Sequence, residues 1–135
     1  MRIVGIIQMT EDKFLLIHRV KPHEDYFTFP GGAIEEGESE IDALRREMQE
    51  ELSISDIQFR KVFELTNRGN QEHWYFVDGF RGVPIIGGPE KERMNEQNQY
   101  LIEYKSLKEL RMLDNFFPKE AIEMIERTID QHLVL

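Results

Sequence analysis

Apolar positions near the start of the chain fall in two short runs of strand length. Residues 2–9 (RIVGIIQM) and 13–20 (KFLLIHRV) each read as a strand, and the turn Thr10-Glu11-Asp12 between them predicts a hairpin. Residues 26–29 predict a short strand running into Pro30-Gly31-Gly32, a tight turn whose glycines tolerate positive φ and let main-chain carbonyls approach a ligand. The period then changes. Ile41, Leu44, Met48 and Leu52 recur at helical spacing, and Ser39 with Asp42 three residues on has the form of a capping box at the start of that helix. Residues 57–66 and 72–80 return to the strand pattern and predict a hairpin across Asn67-Arg68-Gly69-Asn70. Residues 82–99 are polar and broken by Gly87-Gly88-Pro89, which predicts a loop of a length that is often functional in compact domains. A strand at 100–104 follows. The chain closes with a helix over 118–133, Pro118 near its first turn and Ile122, Ile125, Ile129 and Leu133 on one face. This order of elements predicts the α/β (α+β) class, a mixed β-sheet with helices on its faces.

Composition fits a single domain over 1–135, because 40% hydrophobic and 10% aromatic content supports one packed core without repeats or linkers. Gln8 and Thr10 interrupt the first apolar run too early for a secretory segment, and no run approaches a membrane span. A cytoplasmic protein with no membrane partner is expected. The absence of cysteine excludes disulfides and thiolate metal sites. A net charge of −9 argues against a general DNA or RNA binder, since such proteins gain affinity by matching phosphates with Lys and Arg.

The central helix carries the chemistry. Glu47, Glu50 and Glu51 stand at i, i+3 and i+4, so their carboxylates crowd one face, where each like-charge pair costs about 0.2–0.5 kcal/mol. A solvated acidic face is the ordinary meaning of clustered glutamate. Here the acidic face lies about a quarter-turn from the centre of the apolar stripe, so it borders the core beside the glycine turn. Fixed carboxylates in such a place suit a divalent cation, which would also let an acidic protein accept a polyphosphate. Oxygen ligands alone favour Mg²⁺ or Mn²⁺ over Zn²⁺.

At 32–54 the residues resemble the Nudix hydrolase family, whose pattern is G-x5-E-x7-R-E-U-x-E-E-x-G-U with U a bulky apolar residue. Gly32, Glu38, Arg46, Glu47, Met48, Glu50, Glu51 and Ile54 occupy it in register, and Ser53 stands where the family has glycine. That glycine would suit a left-handed residue ending the helix, which serine adopts less readily. The resemblance implies an α/β/α sandwich and a metal-dependent enzyme that hydrolyses a pyrophosphate bond in a nucleoside diphosphate linked to another group. It also implies that Glu47, Glu50 and Glu51 bind metal with the main-chain carbonyl of Gly31. Gly32 would brace the loop, Glu38 would brace it or bind metal indirectly, and Arg46 would hold the glutamates by ion pairing, a role its i+4 relation to Asp42 and Glu50 permits.

The family takes its general base from the helix or from a later loop, and in this chain the loop offers Glu90, Glu92 and Glu96. Glu96, nearest the following strand, is the choice made here. Arg19, at the end of the second strand, is a candidate phosphate ligand, and Tyr26 and Phe27 are candidates to stack on a base. His73-Trp74-Tyr75-Phe76 reads as sheet packing, and no histidine, His18 and His132 included, is assigned to metal. Two functions stand side by side: a pyrophosphohydrolase, or a non-catalytic module on the same fold that binds a nucleotide or sugar nucleotide. Dinucleoside polyphosphates, ADP-ribose, sugar nucleotides, oxidised nucleoside triphosphates and RNA ends are the substrate classes open to the enzyme, with RNA the least expected on charge grounds. A monomer or homodimer is expected, without the N-terminal extension of many dimeric ADP-sugar members.

Overall fold

The computed structural model describes residues 1–10 and 12–134, apart from the side chains of Pro89 and 132–134. Glu11 of the predicted first turn and the side chains of His132 and Leu133 therefore lie outside the described residues.

Among the described residues the elements follow one another as β1 (Arg2–Ile6), β2 (Phe14–Lys21), β3 (Glu24–Thr28), β4 (Gly31–Ala33), α1 (Glu40–Leu52), β5 (Ser55–Asn67), β6 (Asn70–Arg81), α2 (Gly88–Arg93), β7 (Gln99–Lys105), α3 (Leu107–Arg111) and α4 (Glu120–Val134). The strands form two sheets. One has the order β4-β1-β6-β5 and is mixed, because β1 and β6 run parallel while the other pairs are antiparallel. The other, β3-β2-β7, is wholly antiparallel.

Alternation along β1 and β6 explains the layering. Ile3, Tyr75 and Val77 face one core cluster with Leu44, Met48 and Leu52 of α1. Val4, Ile6, Trp74 and Phe76 face the other, with Ala121, Ile122 and Ile125 of α4. The sheet is thus covered on both faces, an α/β/α sandwich as expected, and truncating any of the three fully buried α1 side chains to alanine would cost about 2–5 kcal/mol. Among the described residues no helix is long and apolar enough to cross a membrane.

The first predicted hairpin is corrected. Met9 and Lys13 close the turn (N···O 2.9 Å), as do Leu15 and Ile7 (2.9 Å), yet beyond it β1 and β2 diverge into different sheets. Both strands bury residues on both faces, so alternation could not say which neighbour each would take. The second hairpin is as predicted: Asn67 pairs with Asn70, and Arg68 and Gly69 both have positive φ (53° and 80°), the geometry of a two-residue turn that follows strand twist. The predicted loop 82–99 contains α2, and α3 was not foreseen; both are too short for a helical period to register.

Candidate active site

Ser39 caps α1 with its side chain, accepting from the Asp42 N–H at 3.1 Å. Glu40 in the first turn ties the helix to the sheet by accepting from Tyr75 Oη (2.8 Å), Lys61 Nζ (3.2 Å) and His73 Nδ1. With the apolar stripe packed down, the three glutamates are graded by depth. Glu51 is buried, Glu47 is half-buried and Glu50 is exposed. Desolvation pushes the Glu51 carboxyl up to about 8, and the nearby charges of Glu47 and Glu90 add to it, against a hydrogen bond from the Gly31 N–H (3.1 Å). Burial also raises the Glu47 carboxyl, against the pull of Arg46.

Arg46 organises the exposed side of the cluster. Its Nε and Nη2 donate to the two oxygens of Glu38 at 2.8 and 3.0 Å, a bidentate pair that holds the Glu38 carboxyl below its ordinary range. Nη1 donates to Glu47 (2.9 Å) and Glu50 (3.3 Å), and Nη2 also reaches the Ala33 carbonyl (3.0 Å). The expected Glu50 contact is present; Asp42 instead gives its N–H to the helix cap. Glu38 in turn accepts from the Glu35 N–H (3.1 Å), closing the loop between β4 and the helix.

The glycines work by proximity rather than by positive φ, which corrects the sequence reading. Neither Gly31 nor Gly32 is among the positive-φ residues; both lie in β4. A Cβ on Gly31 would stand 2.2 Å from the Ile3 carbonyl oxygen, and one on Gly32 would stand 2.3 Å from Glu47 Oε1. β4 can lie against β1 at Gly31 and against the acidic helix at Gly32 because neither residue has a side chain. At the far end of α1, Ser53 takes φ 59°, ψ 31°, the left-handed cap that glycine would favour, and its N–H bonds the Gln49 carbonyl at 3.0 Å. The serine departure leaves the exit geometry intact.

The segment after β6 folds back on this end of the helix. Ile85 N–H bonds the Leu52 carbonyl (3.0 Å) and Gly87 N–H the Glu51 carbonyl (3.1 Å), which places α2 against α1. Glu90 on α2 thereby comes near enough to Glu47 and Glu51 to raise both their carboxyls, and its Oε2 is buried with no hydrogen-bond partner. Glu96 is exposed, in the turn that Asn95 and Asn98 close. Of the loop carboxylates that the sequence offered, Glu90 therefore stands beside the acidic helix and Glu96 in the exposed turn beyond it, a placement that distance along the chain to β7 could not disclose.

The NUDIX domain family model matches residues 1–127. The chain belongs to the Nudix family. Over 64 residues it is 39% identical to YvcI, an uncharacterized Nudix hydrolase of Bacillus subtilis, a match that takes in 46% of this chain and only 39% of that protein. Among solved structures, the fold is similar to a MutT described from Aliivibrio salmonicida and Vibrio cholerae (TM-score 0.69, 22% identity, 96% of each chain). It is also similar to an ADP compounds hydrolase (0.69, 15%, 97% of this chain and 74% of that one) and to the E. coli ORF135 protein (0.67, 22%, 97% and 89%). At these identities the likeness shows the fold.

The three substrate-binding candidates, Arg19, Tyr26 and Phe27, all lie on β2 and β3. Arg19 is buried, with its guanidinium 3.8 Å from the centre of the Tyr100 ring and Nη1 donating to the Gln99 carbonyl at 3.2 Å, so its contacts are within the second sheet. Phe27 turns into the core and stacks on His18 at 4.0 Å between ring centres, which leaves it unable to receive a base. Tyr26 turns the other way and lines a cavity of about 640 Å³ between β3, the tip of the β5–β6 hairpin and the segment 114–117. Arg2 also lines it, and is near enough to Glu51 to favour the ionised carboxylate. The cavity draws on four separate stretches of chain, and only Tyr26 among them was a candidate in the sequence.

Proposed function

We propose that this protein hydrolyses a pyrophosphate bond in a nucleoside diphosphate linked to another group, using Mg²⁺ or Mn²⁺ held by Glu47, Glu50 and Glu51 with the Gly31 carbonyl. The observation that carries the reading is the meeting of Glu51, Glu47 and Glu90: two carboxyls raised by burial and mutual repulsion, beside a third with an orphaned buried oxygen. Buried carboxylates facing one another without a compensating cation are costly. Among the described residues no three His, Asp or Glu side chains stand grouped to hold an ion, and Arg46 pairs with Glu47 and Glu50. The donor set still fits a hard divalent cation, since every candidate is an oxygen and Glu51 and Glu90 converge from two elements.

When bound, the cation would withdraw charge from the bridging phosphates and acidify a water. The chain's own residues supply the rest. Glu90, brought over the helix by α2, is the group we assign to take the proton of the attacking water. Arg46 keeps Glu38, Glu47 and Glu50 in one array, and Gly32 leaves room for Glu47. The test is release of phosphate-containing products from a panel of dinucleoside polyphosphates, ADP-ribose, sugar nucleotides and nucleoside triphosphates. Turnover should need Mg²⁺ or Mn²⁺ and vanish in Glu50→Gln. Tight binding of a panel compound with no turnover in either metal would make the protein a binding module instead.

A further inference from the structure

One cross-strand row of the mixed sheet runs through Gly32 of β4, Ile3 of β1, His73 of β6 and Glu64 of β5. Two of these positions meet α1. Glu47 lies against Gly32, where a Cβ would collide with its carboxylate, and Glu40 accepts from His73 Nδ1. Gly32 and His73 are two strand spacings apart, about 9.5 Å. Glu40 and Glu47 are separated by seven residues, about 10.5 Å of helix rise. The helix therefore lies along the row and is registered on it at both places.

The same spacing governs rotation. Seven residues bring a helix back to within about 20° of its starting direction, and eleven miss that direction by about as much on the other side. Glu40 thus stands on the line that runs between Glu47 and Glu51, at a position the Nudix pattern leaves free. Any turn of the helix that moves Glu40 moves both of the others. The stripe of Leu44, Met48 and Leu52 seats α1 but sets its rotation loosely, because burial has no direction and methionine adapts its shape. Hydrogen bonds do have direction. Glu40 Oε1 accepts from Tyr75 Oη (2.8 Å) and Lys61 Nζ (3.2 Å) as well as from His73. Tyr75 and His73 are buried, so two of the donors are fixed in the sheet. Glu64 closes the exposed side, 2.8 Å from Lys61 Nζ and 3.5 Å from His73 Nε2.

We propose that Glu40, Tyr75 and His73 are positioning residues, a polar lock on the rotation of α1 that aims Glu47 and Glu51 at β4. That those carboxylates serve a metal rests on the reading of α1 given above; that they are aimed from Glu40 does not.

The lock is read in EDTA by amide hydrogen exchange at Gly31, whose N–H donates to Glu51 at 3.1 Å. Glu40→Ala and Tyr75→Phe should each speed exchange there several-fold more than at Leu15, whose amide bonds the Ile7 carbonyl in the approach to the other sheet. Glu40→Gln keeps an oxygen for the tyrosine and should restore most of the protection. Asp42→Ala removes another first-turn charge, from an exposed position, and should leave both amides at their wild-type rates. Mn²⁺ titration of the same proteins should show about tenfold weaker binding in Glu40→Ala and Tyr75→Phe, and wild-type binding in Asp42→Ala. Equal acceleration of the two amides would reduce the cluster to a source of global stability and overturn the proposal. No acceleration at Gly31 would overturn it too, as would undiminished Mn²⁺ binding in both variants of a protein whose wild type binds the ion. A wild type that binds no Mn²⁺ removes the metal reading, and the Gly31 amide then decides the lock alone.

Discussion

Arg46 and Glu38 face each other as a two-point ion pair across the loop that joins β4 to α1, with N···O distances of 2.8 and 3.0 Å. One guanidinium therefore fixes the loop and two of the glutamates together. Lysine keeps the charge but cannot reproduce the fork. Arg46→Lys is expected to lower metal affinity or turnover by ~10- to 100-fold, the usual effect of losing an outer-shell partner. Mn²⁺ titration beside steady-state kinetics checks it; unchanged values would reduce Arg46 to a surface charge.

Glu51 makes stability depend on pH. Its folded carboxyl lies near 8, above the ordinary value of 4.5, so the folded protein holds a proton that the unfolded chain releases. The contribution is fully present below 4.5 and is lost as pH rises toward about 8. In EDTA, wild type should lose melting temperature across that window, and Glu51→Gln should flatten the loss and be the more stable protein at alkaline pH. Saturating Mg²⁺ should abolish the advantage of the variant. Parallel thermal melts of both proteins at pH 5 to 9 supply the measurement.

Glu90 and Glu96 give opposite expectations. Glu90→Gln should reduce turnover by ~10²- to 10⁴-fold, the range for a lost general base, with the fold intact. Glu96→Gln, altering an exposed turn, should leave turnover within about twofold. A reversed order would restore the choice made from the sequence.

The two adjacent glycines should fail differently. Gly31→Ala drives a methyl into the backbone of Ile3 and should lower stability by opening the β1–β4 pairing. Gly32→Ala meets only the end of a side chain, Glu47, which can swing aside. It should melt near the wild-type temperature and yet lose most of its activity. Chemical denaturation and assay of both variants distinguish the outcomes.

The parts of this molecule legible in its sequence were those set by short-range spacing. The helix of Leu44, Met48 and Leu52, the Ser39 cap, the Asn67–Asn70 turn and the placing of the glutamate face at the border of the core all follow from contacts within a few residues or from one helical period. What escaped depended on partners far along the chain. The separate sheets of β1 and β2 are decided by β6 and β7, which alternation cannot name. Phe27 and Tyr26 are neighbours of similar character, and only the register of β3 on β2 sends one to the core and the other to the cavity. Serine at 53 was a departure on paper, but it takes the left-handed geometry at the helix end all the same.

The amides of Ile85 and Gly87 secure the segment leading to Glu90 by holding carbonyls of α1. Every residue except proline offers that same amide, so the attachment is indifferent to which side chains Val83 and Ile85 carry. Those positions are therefore open to redesign: an engineer could exchange them for polar residues, or for reporter groups, and still find the distant carboxylate delivered to the same spot.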